Sequence, residues 1–537
     1  MACGRSSMIS TTVLTPILLI LICHPIESAH IVFLHSASSY SHRVPQWPLI
    51  LALVERGHQI TFISGYEGGT EMNHDKVKDL VIPELAEMLE YLISKFDINY
   101  RIQGLQPSSL FTLDPVSYAA CQAVHRSPTF QAWVATIPSI DLIYSDTNPE
   151  CAYGLAAKFG AKHAIFQTIP LSSKQFEVLG ISSEAGSIPP WEMSDIPPLS
   201  FYKRTVGTFL PFIGRVQQLS LYRFLYKSLF VETLGLETPP ELYDMEADIS
   251  LLLINGNYLE DYARSLPPFV VKVPGMHIRE NLEAEQLDPS LEAFISSSSD
   301  DTDGFIYISF GTVVNASNLP KSFLDIFFRS IEAFPTLQFI WRWKGPIPSP
   351  HPKNLLFTPW VNQQKLLSHG KIRGFITQAG RPSMQEAFYH AVPTIAFPIL
   401  GDQDFNAAKY EYLGTAVCMD IATVTQPQLM IAINRTVTDT AWIGRVNRMA
   451  SLARDVPITP VKMALWWTEF ILRHTPEEIN FLKPLGQQSD WWKRRELDVW
   501  AFVILFSVVV SLVIFRLTRP LRQSLWKMVK SLKSKLD

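Results

Sequence analysis

The sequence predicts an α/β fold with two doubly wound domains in tandem, followed by a membrane helix near the C-terminus. Three observations lead to this prediction. The chain has 537 residues, whereas a single hydrophobic core rarely grows beyond roughly 250–300 residues. Short apolar strand patterns alternate with helical patterns along most of the chain, as in parallel sheets. Residues 499–515 contain no charged side chain and are long enough to cross a bilayer.

Composition excludes several classes of protein. Apolar residues make up 47% of the chain and charged residues 18%, which excludes a disordered protein. The net charge is -4 and the body has no stripe of lysine and arginine, so no nucleic-acid partner is expected. Few cysteines lie outside the first 29 residues, which excludes a disulfide scaffold. One pair can form, and Cys121 with Cys151 is favoured, although the sequence does not decide it.

The N-terminal residues 1–29 have the pattern of a secretory signal peptide. Arg5 provides the positive charge, and residues 13–23 are an apolar segment too short to span a bilayer. Ser28 and Ala29 are the small residues that end it. A signal peptide predicts that the body enters a lumenal compartment. An uncleaved anchor is the alternative.

The first predicted domain covers residues 30–245 and opens as a β-loop-α-β unit. Its strand and helix patterns alternate, which predicts a parallel sheet. Strands are predicted at 30–34, 59–64, 141–144 and 163–167, with helices at 48–56 and 152–160. Residues 175–245 are instead rich in aromatic residues, proline and helical patterns, chiefly at 201–234. This segment either shapes a ligand pocket or is a packing subdomain, and the sequence leaves both interpretations open.

The second predicted domain covers residues 246–490 and repeats the alternation. Its strands are predicted at 251–254, 305–310, 339–342, 374–377 and 394–397, and two of its helices at 321–333 and 383–390. Two doubly wound domains in tandem create a cleft between them. Ligands bind such sheets outside the carboxyl ends of the strands, so two ligands held by different domains can meet in that cleft.

The C-terminal region has the pattern of a stop-transfer segment. The predicted span at 499–515 follows tryptophan and basic residues at 491–495, which suit a membrane interface. The tail at 516–537 carries seven basic residues and one acidic residue, which favours the cytoplasmic side. A buried core helix is the alternative for the span. Lys533 and Lys535 resemble a dilysine retrieval signal of the endoplasmic reticulum, and attraction to anionic lipid is the alternative.

The most informative stretch begins just before Trp360. It reads TPWVNQQKLLSH, then GFITQAGRPSMQEAFYHAVPTIAFPILGDQDFNAAKYEYLG. These residues resemble the signature of UDP-glycosyltransferases, W-x-P-Q-x-x-L-L-x-H, F-I-T-H-G-G-x-N-S-x-x-E-A, G-V-P, P-x-x-x-D-Q and N-A. Flanking matches lie at 41–42, 53–58, 307–312 and 464–470. The resemblance covers residues 30–537. The order of signal, body, anchor and tail resembles the membrane-anchored animal form of the family, of the UDP-glucuronosyltransferase type.

This resemblance implies the GT-B architecture, in which two Rossmann-like domains face each other. The domain at 30–245 is then expected to bind a small lipophilic acceptor, and the domain at 246–490 a UDP-sugar. The UDP-sugar is a co-substrate, and no cofactor or metal is expected. The D-x-D pattern at 301–303 lies in a polar run before a strand and is interpreted as a solvated loop. Family likeness alone favours a homo-oligomer through the membrane-proximal face. Asn315 and Asn434 are glycosylation sequons, and Asn434 is preferred.

The resemblance assigns donor-binding roles to residues of the second domain, and their chemistry suits those roles. Trp360 offers a ring on which uracil stacks, and the residues from Gly380 to Ser383 open a helix whose N–H groups face a phosphate. The expected donor residues are Ser309, Gly311, Thr312, Trp360, Gln363, Gln378, Gly380, Arg381, Ser383, Glu386, Asp402 and Gln403. Glu386 is expected at the ribose hydroxyls and Asp402 with Gln403 at the sugar. Ser383 and Glu386 also form a capping-box pattern, which is the alternative interpretation.

The resemblance also implies an inverting displacement in which His42 removes the acceptor proton and Asp146 orients it. His42 lies in the first strand-to-helix loop and Asp146 follows a strand, so both are expected on one side of the first domain. A carboxylate beside an imidazole fixes its tautomer and stabilises the imidazolium. His35, at a nearby strand end, is the competing candidate.

Four positions depart from the family pattern. Gln378 replaces the usual histidine, Ala379 the first glycine, Pro382 the asparagine and Asn362 the proline after Trp360. Gln378 carries no charge and Pro382 has no N–H, so diphosphate contacts are lost unless Arg381 supplies one. Three hypotheses follow: an active transferase, a family member with an altered donor or poor turnover, and a non-catalytic membrane-anchored binding or regulatory partner.

Overall fold

The computed structural model describes residues 28–95, 98–104, 110–296, 303–314, 316–488, 490–533 and 535. Several predictions concern residues outside these ranges. They are the signal peptide up to residue 27, the residues Asp301 and Thr302 of the D-x-D pattern, the sequon asparagine Asn315, and the last residues of the tail.

The described residues form two parallel sheets. The first contains seven strands in the order β3-β2-β1-β4-β5-β6-β7 and the second contains six in the order β10-β9-β8-β11-β12-β13. The first sheet comprises β1 (His30–Leu34), β2 (Gln59–Ser64), β3 (Val77–Val81), β4 (Leu142–Ser145), β5 (Lys162–Gln167), β6 (Ile249–Ile254) and β7 (Val270–Lys272). The second comprises β8 (Gly304–Ser309), β9 (Leu337–Arg342), β10 (Leu355–Thr358), β11 (Ile372–Thr377), β12 (Thr394–Ala396) and β13 (Ala416–Cys418).

Helices cover both faces of each sheet, as the apolar central strands require. Around the first sheet lie α1 (Tyr40–Arg43), α2 (Trp47–Glu55), α3 (Pro83–Lys95), α4 (Ile98–Ile102), α5 (Leu110–Arg126), α6 (Pro128–Thr136), α7 (Glu150–Phe159), α8 (Ser173–Val178), α9 (Phe201–Leu221), α10 (Lys227–Leu234) and α11 (Leu242–Ala247). The remaining helices of the body are α12 (Pro289–Ser296), α13 (Lys321–Glu332), α14 (Gln363–Leu367), α15 (Arg381–Tyr389), α16 (Gln403–Tyr412), α17 (Gln426–Thr438), α18 (Thr440–Arg454), α19 (Pro460–Arg473) and α20 (Pro476–Ile479). The C-terminal region contains α21 (Trp491–Arg494), α22 (Leu497–Leu517) and α23 (Arg519–Lys533).

One strand lies in a different sheet from the one predicted. The strand at 251–254 was assigned to the second alternating unit, but β6 pairs in parallel with β5 and belongs to the first sheet. That assignment was wrong because a buried strand reads as an apolar run whichever sheet it joins. The strands β3, β7, β10 and β13 were not predicted; β7 and β13 have only three residues each, and β3 is largely half-buried.

The chain returns to the first sheet near its end. α19 packs beneath that sheet, where the Tyr144 and Thr468 hydroxyls lie 2.7 Å apart. Arg56 Nε donates to Glu469 Oε1 at 2.7 Å. Both ends of the range 246–490 therefore contact the first sheet. The domain ranges 30–245 and 246–490 stay predictions.

The aromatic segment at 201–234 is helical, as predicted. α9 and α10 are joined through a π-helical turn at Tyr222–Tyr226, and their inner face packs on α7 and α5. The Cys121–Cys151 disulfide joins these two underlying helices. At the contact with α10, Gly154 leaves room for the Phe230 ring, because an added Cβ would lie 2.5 Å from Phe230 Cδ1. The segment thus contributes to the core of the first domain.

The predicted span forms a single helix. Within the described part of the chain, α22 is the one helix long and apolar enough to cross a membrane, and none of its residues is buried. Its length and composition agree with the prediction for 499–515.

We predict that Gly154→Ala destabilises the first domain by roughly 1–3 kcal/mol, because the methyl group overpacks a close helix contact. Urea unfolding followed by tryptophan fluorescence measures the effect. Gly186→Ala is the matched control: an added Cβ there has no atom within 4 Å, and the expected change is within about 0.5 kcal/mol. Equal effects of the two substitutions would contradict the packing account.

Candidate active site

A cavity of about 850 Å³ lies between the two sheets, on the side of their carboxyl ends. Residues from both halves of the chain line it. All the predicted site residues are among them: His42, Asp146, Ser309, Gly311, Thr312, Trp360, Gln363, Gln378, Gly380, Arg381, Ser383, Glu386, Asp402 and Gln403. The tertiary structure therefore brings together residues that lie up to 361 positions apart, from His42 to Gln403.

His42 and Asp146 form a hydrogen-bonded pair in the wall of this cavity. His42 Nδ1 lies 2.8 Å from Asp146 Oδ2, and the histidine side chain retains 20% exposure whereas the aspartate is buried. Ser38 Oγ donates to the same carboxylate oxygen, and Thr147 Oγ1 donates to Oδ1 at 3.1 Å. With Nδ1 directed to Asp146, His42 Nε2 has no hydrogen-bond partner among the described residues.

The pair is electrostatically coupled. Burial by itself lowers the pKa of His42, but the Asp146 carboxylate outweighs it, and the pKa rises above its ordinary value of 6.5. Burial by itself raises the pKa of Asp146, but His42 and the hydrogen bonds from His42 and Ser38 outweigh it and lower that pKa. Asp146 is therefore ionised at neutral pH, and it supports positive charge on His42.

His35, the competing candidate, has a different environment. It is 2% exposed and is not among the residues that line the cavity. Its Nε2 lies 2.6 Å from Gln46 Nε2, and burial lowers the pKa of His35 to about 4. His35 is a neutral core histidine beside the pair, and it does not reach the cavity.

The opposite wall is built from the carboxyl ends of β8 and β11 and the start of α15. Gly311 follows β8 with φ +71°, and an added Cβ there would overlap the Gln378 amide. α15 begins at Arg381 after the N-cap Gly380, so its first N–H groups face the cavity wall. The capping-box interpretation was wrong, because Ser383 lies inside the helix rather than at its N-cap.

Glu386 is held by hydrogen bonds and directed towards the cavity. Gln363 Nε2 donates to Glu386 Oε2 at 2.6 Å and to Ser383 Oγ at 2.9 Å. His277 Nε2 lies 3.4 Å from Glu386 Oε1. The three predicted residues form one cluster, which joins α14 to α15.

Comparison with known proteins agrees with this geometry. The sequence model of the family "UDP-glucoronosyl and UDP-glucosyl transferase" matches residues 32–535. The chain belongs to this family. It is 25% identical to human UDP-glucuronosyltransferase 1A9 over 87% of this chain and 90% of that protein. It is 23% identical to human UDP-glucuronosyltransferase 1A8 over 89% of each. The mouse relative UDP-glucuronosyltransferase 1A7 is 24% identical over 70% of this chain and 69% of its own length.

Solved structures share the fold. The glycotransferase of kitacinnamycin superposes with a TM-score of 0.53 at 16% identity, over 83% of this chain and 99% of that one. The calicheamicin glycosyltransferase CalG4 superposes with a TM-score of 0.52 at 16% identity, over 83% and 99%. The predicted GT-B fold is confirmed. Family and fold together support sugar transfer from a UDP-sugar.

This member of the family carries alanine at two positions where the family pattern has glycine. Ala379 has φ +66° and Ala391 has φ +58°. Both lie in the left-handed region, which costs a residue with a Cβ roughly 1–2 kcal/mol. Ala379 is fully buried, and its carbonyl accepts a hydrogen bond from Asn406 Nδ2 at 3.0 Å. The surrounding contacts hold Ala379 in this conformation. Ala391 directly follows the C-cap His390 of α15 and is a further departure, at the G-V-P part of the family pattern.

Arg381 faces acidic groups of the protein itself. Its Nη2 donates to Asp261 Oδ1 at 2.8 Å and lies 3.8 Å from Glu260 Oε2, and the residue is 2% exposed. Burial opposes its charge, but these carboxylates outweigh burial and raise the pKa of Arg381. Asp261 already pairs with Arg381 and would compete with a diphosphate for its guanidinium. A diphosphate contact from Arg381 stays a prediction.

The two walls of the cavity meet near the start of α16. Asp402 Oδ2 accepts from Asn406 Nδ2 at 2.7 Å, and burial raises the pKa of Asp402. Gln403 Oε1 accepts from the backbone N–H groups of Ile399 and Leu400, so it fixes the loop before α16. Asp402 is close enough to His42 to contribute to the raised pKa of that histidine.

Trp360 is 65% exposed, with the Arg342 guanidinium 5.2 Å from its ring centroid. Arg342 Nη1 also donates to the Gly311 carbonyl. The nearby departure Asn362 has a local explanation, because its side chain caps α14 by accepting from Lys365 N at 3.3 Å. Arg342 therefore covers one face of the Trp360 ring, and both residues line the cavity.

Sequence reasoning missed several residues that line the cavity. Near Trp360, Asn362 and Glu386 they are His277, Arg279 and Arg342. Arg342 ends β9, so its position at a carboxyl strand end was a usable signal. At the other end of the cavity the missed lining residues include Tyr40, Trp47, Tyr66, Asp114, Lys174 and Trp191. No local pattern marked these, because they come from separate segments.

We predict that Ala379→Gly raises the stability of the second domain by up to about 1 kcal/mol, because glycine removes the cost of a left-handed alanine. The midpoint of urea unfolding measures it. Ala407→Gly is the matched control: this buried alanine lies inside α16, and glycine there is expected to cost about 1 kcal/mol. A loss of stability in Ala379→Gly as large as the control's would contradict the strain account.

Proposed function

We propose that this chain is an inverting glycosyltransferase that moves a sugar, glucuronic acid first among the candidates, from a UDP-sugar to a hydroxyl of a small lipophilic acceptor. One observation carries the proposal. The His42–Asp146 pair lies in the wall of the same cavity as the donor residues of the family motif. A base on one domain and a donor on the other are what a direct displacement needs.

In the proposed reaction, His42 acts through Nε2. The acceptor oxygen attacks the anomeric carbon of the sugar, His42 Nε2 takes the hydroxyl proton, and the bond to UDP breaks. Asp146 accepts from His42 Nδ1 at 2.8 Å, which leaves Nε2 as the basic nitrogen and stabilises the imidazolium that forms. One displacement inverts the anomeric configuration.

The donor site is proposed to run from Trp360 to Asp402. Uracil stacks on the face of Trp360 that Arg342 leaves free, and Glu386 accepts from the ribose hydroxyls. Backbone N–H groups of Gly311, Thr312 and the first turn of α15 meet the diphosphate, whose charge the helix N-terminus favours. Asp402 and Gln403 meet the sugar. These groups carry the phosphate charge without a metal, and we expect none.

The acceptor end is proposed to favour lipophilic compounds. Its lining is mainly aromatic and aliphatic, with Tyr40, Val44, Trp47, Leu51, Tyr66, Leu89 and Trp191. Such a surface suits an apolar ring system. The segment 175–245 reaches the cavity through Trp191 and Glu192. This part of the segment is proposed to shape the acceptor pocket, whereas the helices at 201–234 pack on the first domain.

A second candidate is a non-catalytic or altered-donor family member that acts as a membrane-anchored binding or regulatory partner. The observation that favours it is the Gln378 amide, which fills the space over Gly311 where a phosphate would bind. Pro382 adds to it, because it lacks an N–H in the first turn of α15.

We also propose the location of the protein. α22 is proposed to span the endoplasmic reticulum membrane once as a type I anchor, with the body lumenal and glycosylated at Asn434. The apolar helix and the basic residues that follow it support this orientation. A homo-oligomer stays a prediction.

We predict that the acidic limb of kcat/KM, where activity falls as His42 becomes protonated, lies above pH 6.5, because the pKa of His42 is raised. In Asp146→Asn the main raising group is gone, whereas burial and the smaller contribution of Asp402 remain, so the limb moves to lower pH and kcat drops by roughly 10²–10⁴-fold. A pH–rate profile with UDP release as the readout measures both. His35→Gln is the control and should leave the limb in place. A limb unmoved by Asp146→Asn would exclude His42 as the base.

We predict that Gln378→His/Pro382→Asn binds UDP more tightly than the original chain, by roughly 10–10⁴-fold, because charge-assisted contacts contribute about 1.5–3 kcal/mol each. Calorimetry of the full chain in detergent with UDP and UDP-glucuronic acid measures it. His351→Asn is a control outside the cavity lining.

The same titration separates the two candidate functions. Micromolar binding by the original chain supports the transferase and justifies an acceptor screen with His42→Ala as the blank. Absence of binding, with binding restored in the folded double variant, supports the non-catalytic partner.

A further inference from the structure

The C-terminal tail forms a helix with two chemically different faces. α23 follows the proposed span α22 after a single residue, Thr518. Four apolar residues are spaced four, three and four positions apart and so share one face: Leu521, Leu525, Met528 and Leu532. Each is exposed, and no residue within 519–533 is buried. The helix therefore presents an apolar stripe that no described part of the chain covers.

The other face of α23 is basic. Arg519, Lys527 and Lys530 project opposite the stripe at helical spacing. Arg522 and Lys533 flank it on one side, and the exposed Trp526 lies between Lys533 and Arg519. Residues 516–537 contain seven basic residues and one acidic residue. This combination of an apolar stripe and a cationic face is typical of helices that lie in the plane of a membrane surface.

The junction with α22 fixes where the tail begins. Pro520 has no N–H and cannot donate to the Arg516 carbonyl, which interrupts the helical hydrogen bonds between span and tail. Arg522 Nη2 instead donates to the Phe515 carbonyl at 2.6 Å, and its guanidinium lies 3.7 Å from the Phe515 ring centroid. The first turn of α23 is thereby tied to the last turn of α22, where the apolar segment ends.

We propose that α23 lies in the headgroup region of the leaflet next to the end of α22 and binds anionic lipid. Its apolar stripe enters the acyl boundary, and its basic face pairs with lipid phosphates and carboxylates. The proposal rests on the membrane span, and it is independent of the transferase chemistry. Anionic lipid is favoured over a second copy of the tail because lipid complements the basic face, whereas pairing two tails brings like charges together.

Hydrogen–deuterium exchange of the full chain in nanodiscs tests the proposal. One disc type contains phosphatidylcholine alone, and the other also contains about one third phosphatidylserine. Amides of 519–533 are expected to exchange roughly fivefold or more slowly with the anionic lipid, since each basic side chain near the surface adds to binding. The difference should shrink in about 0.5 M salt, which screens exposed charges.

Matched charge reversals isolate the basic face. Lys527→Glu/Lys530→Glu is expected to abolish the dependence on anionic lipid. Lys344→Glu/Lys353→Glu makes the same change of charge at exposed positions of the body, and should preserve it. Amides of 497–517 serve as an internal reference, because their protection in both disc types reports the inserted span separately from the tail.

Three outcomes would overturn the proposal. The first is equal exchange of 519–533 in the two lipids with a protected span. The second is a lipid dependence that survives Lys527→Glu/Lys530→Glu. The third is slowing that follows the number of chains per disc rather than the lipid, which would assign the apolar stripe to a second copy. An unprotected span would remove the premise, and the proposal with it.

Discussion

The wall of the cavity that contains His42 depends on one buried carboxylate, that of Asp146. Asp146 is buried, and a buried ionised carboxylate must be paired and hydrogen-bonded. Its partners come from three places: Ser38 and His42 after β1, Thr147 beside it, and Thr168 after β5 at 3.4 Å. These residues follow β1, β4 and β5, which are neighbours in the sheet, and His42 lies in the short helix α1. The strand order therefore places all of these side chains within hydrogen-bond distance of the Asp146 carboxylate, which in turn orients His42.

A second chain of buried charges connects the helical segment to the same cavity. Lys174 Nζ donates to Asp114 Oδ1 at 2.5 Å and lies 3.5 Å from Glu150 Oε1. Gln218 Nε2 donates to Glu150 at 2.6 Å, and Arg215 Nη1 donates to Gln218 Oε1 at 2.7 Å and pairs with Glu246. Lys174 and Asp114 line the cavity, so α9 supports its wall from outside. Removing one member would leave an unpaired buried charge, which is costly.

The donor wall combines retained and altered parts of the family motif. Gln363, Ser383 and Glu386 form one hydrogen-bonded cluster, while the loop between β11 and α15 carries a left-handed alanine and a neutral amide. Two contacts hold this loop and the start of α15 in place. Asn406 Nδ2 donates to the Ala379 carbonyl, and Asp261 pairs with Arg381. In this loop the neutral amide of Gln378 stands where the family pattern has a histidine, beside the proposed diphosphate site.

The sequence by itself determined the family, most of the strands and the predicted part of the cavity lining. Strands 30–34 and 59–64 match the structure residue for residue, because strand pattern and motif order are local properties of the chain. The tertiary structure alone decided that β6 joins the first sheet, that α19 returns to it, and that Arg381 faces Asp261, 120 positions away. It also decided that His35 is buried beside the His42–Asp146 pair and does not line the cavity. Each of these depends on contacts between distant segments, and a local pattern carries no information about its partner in space.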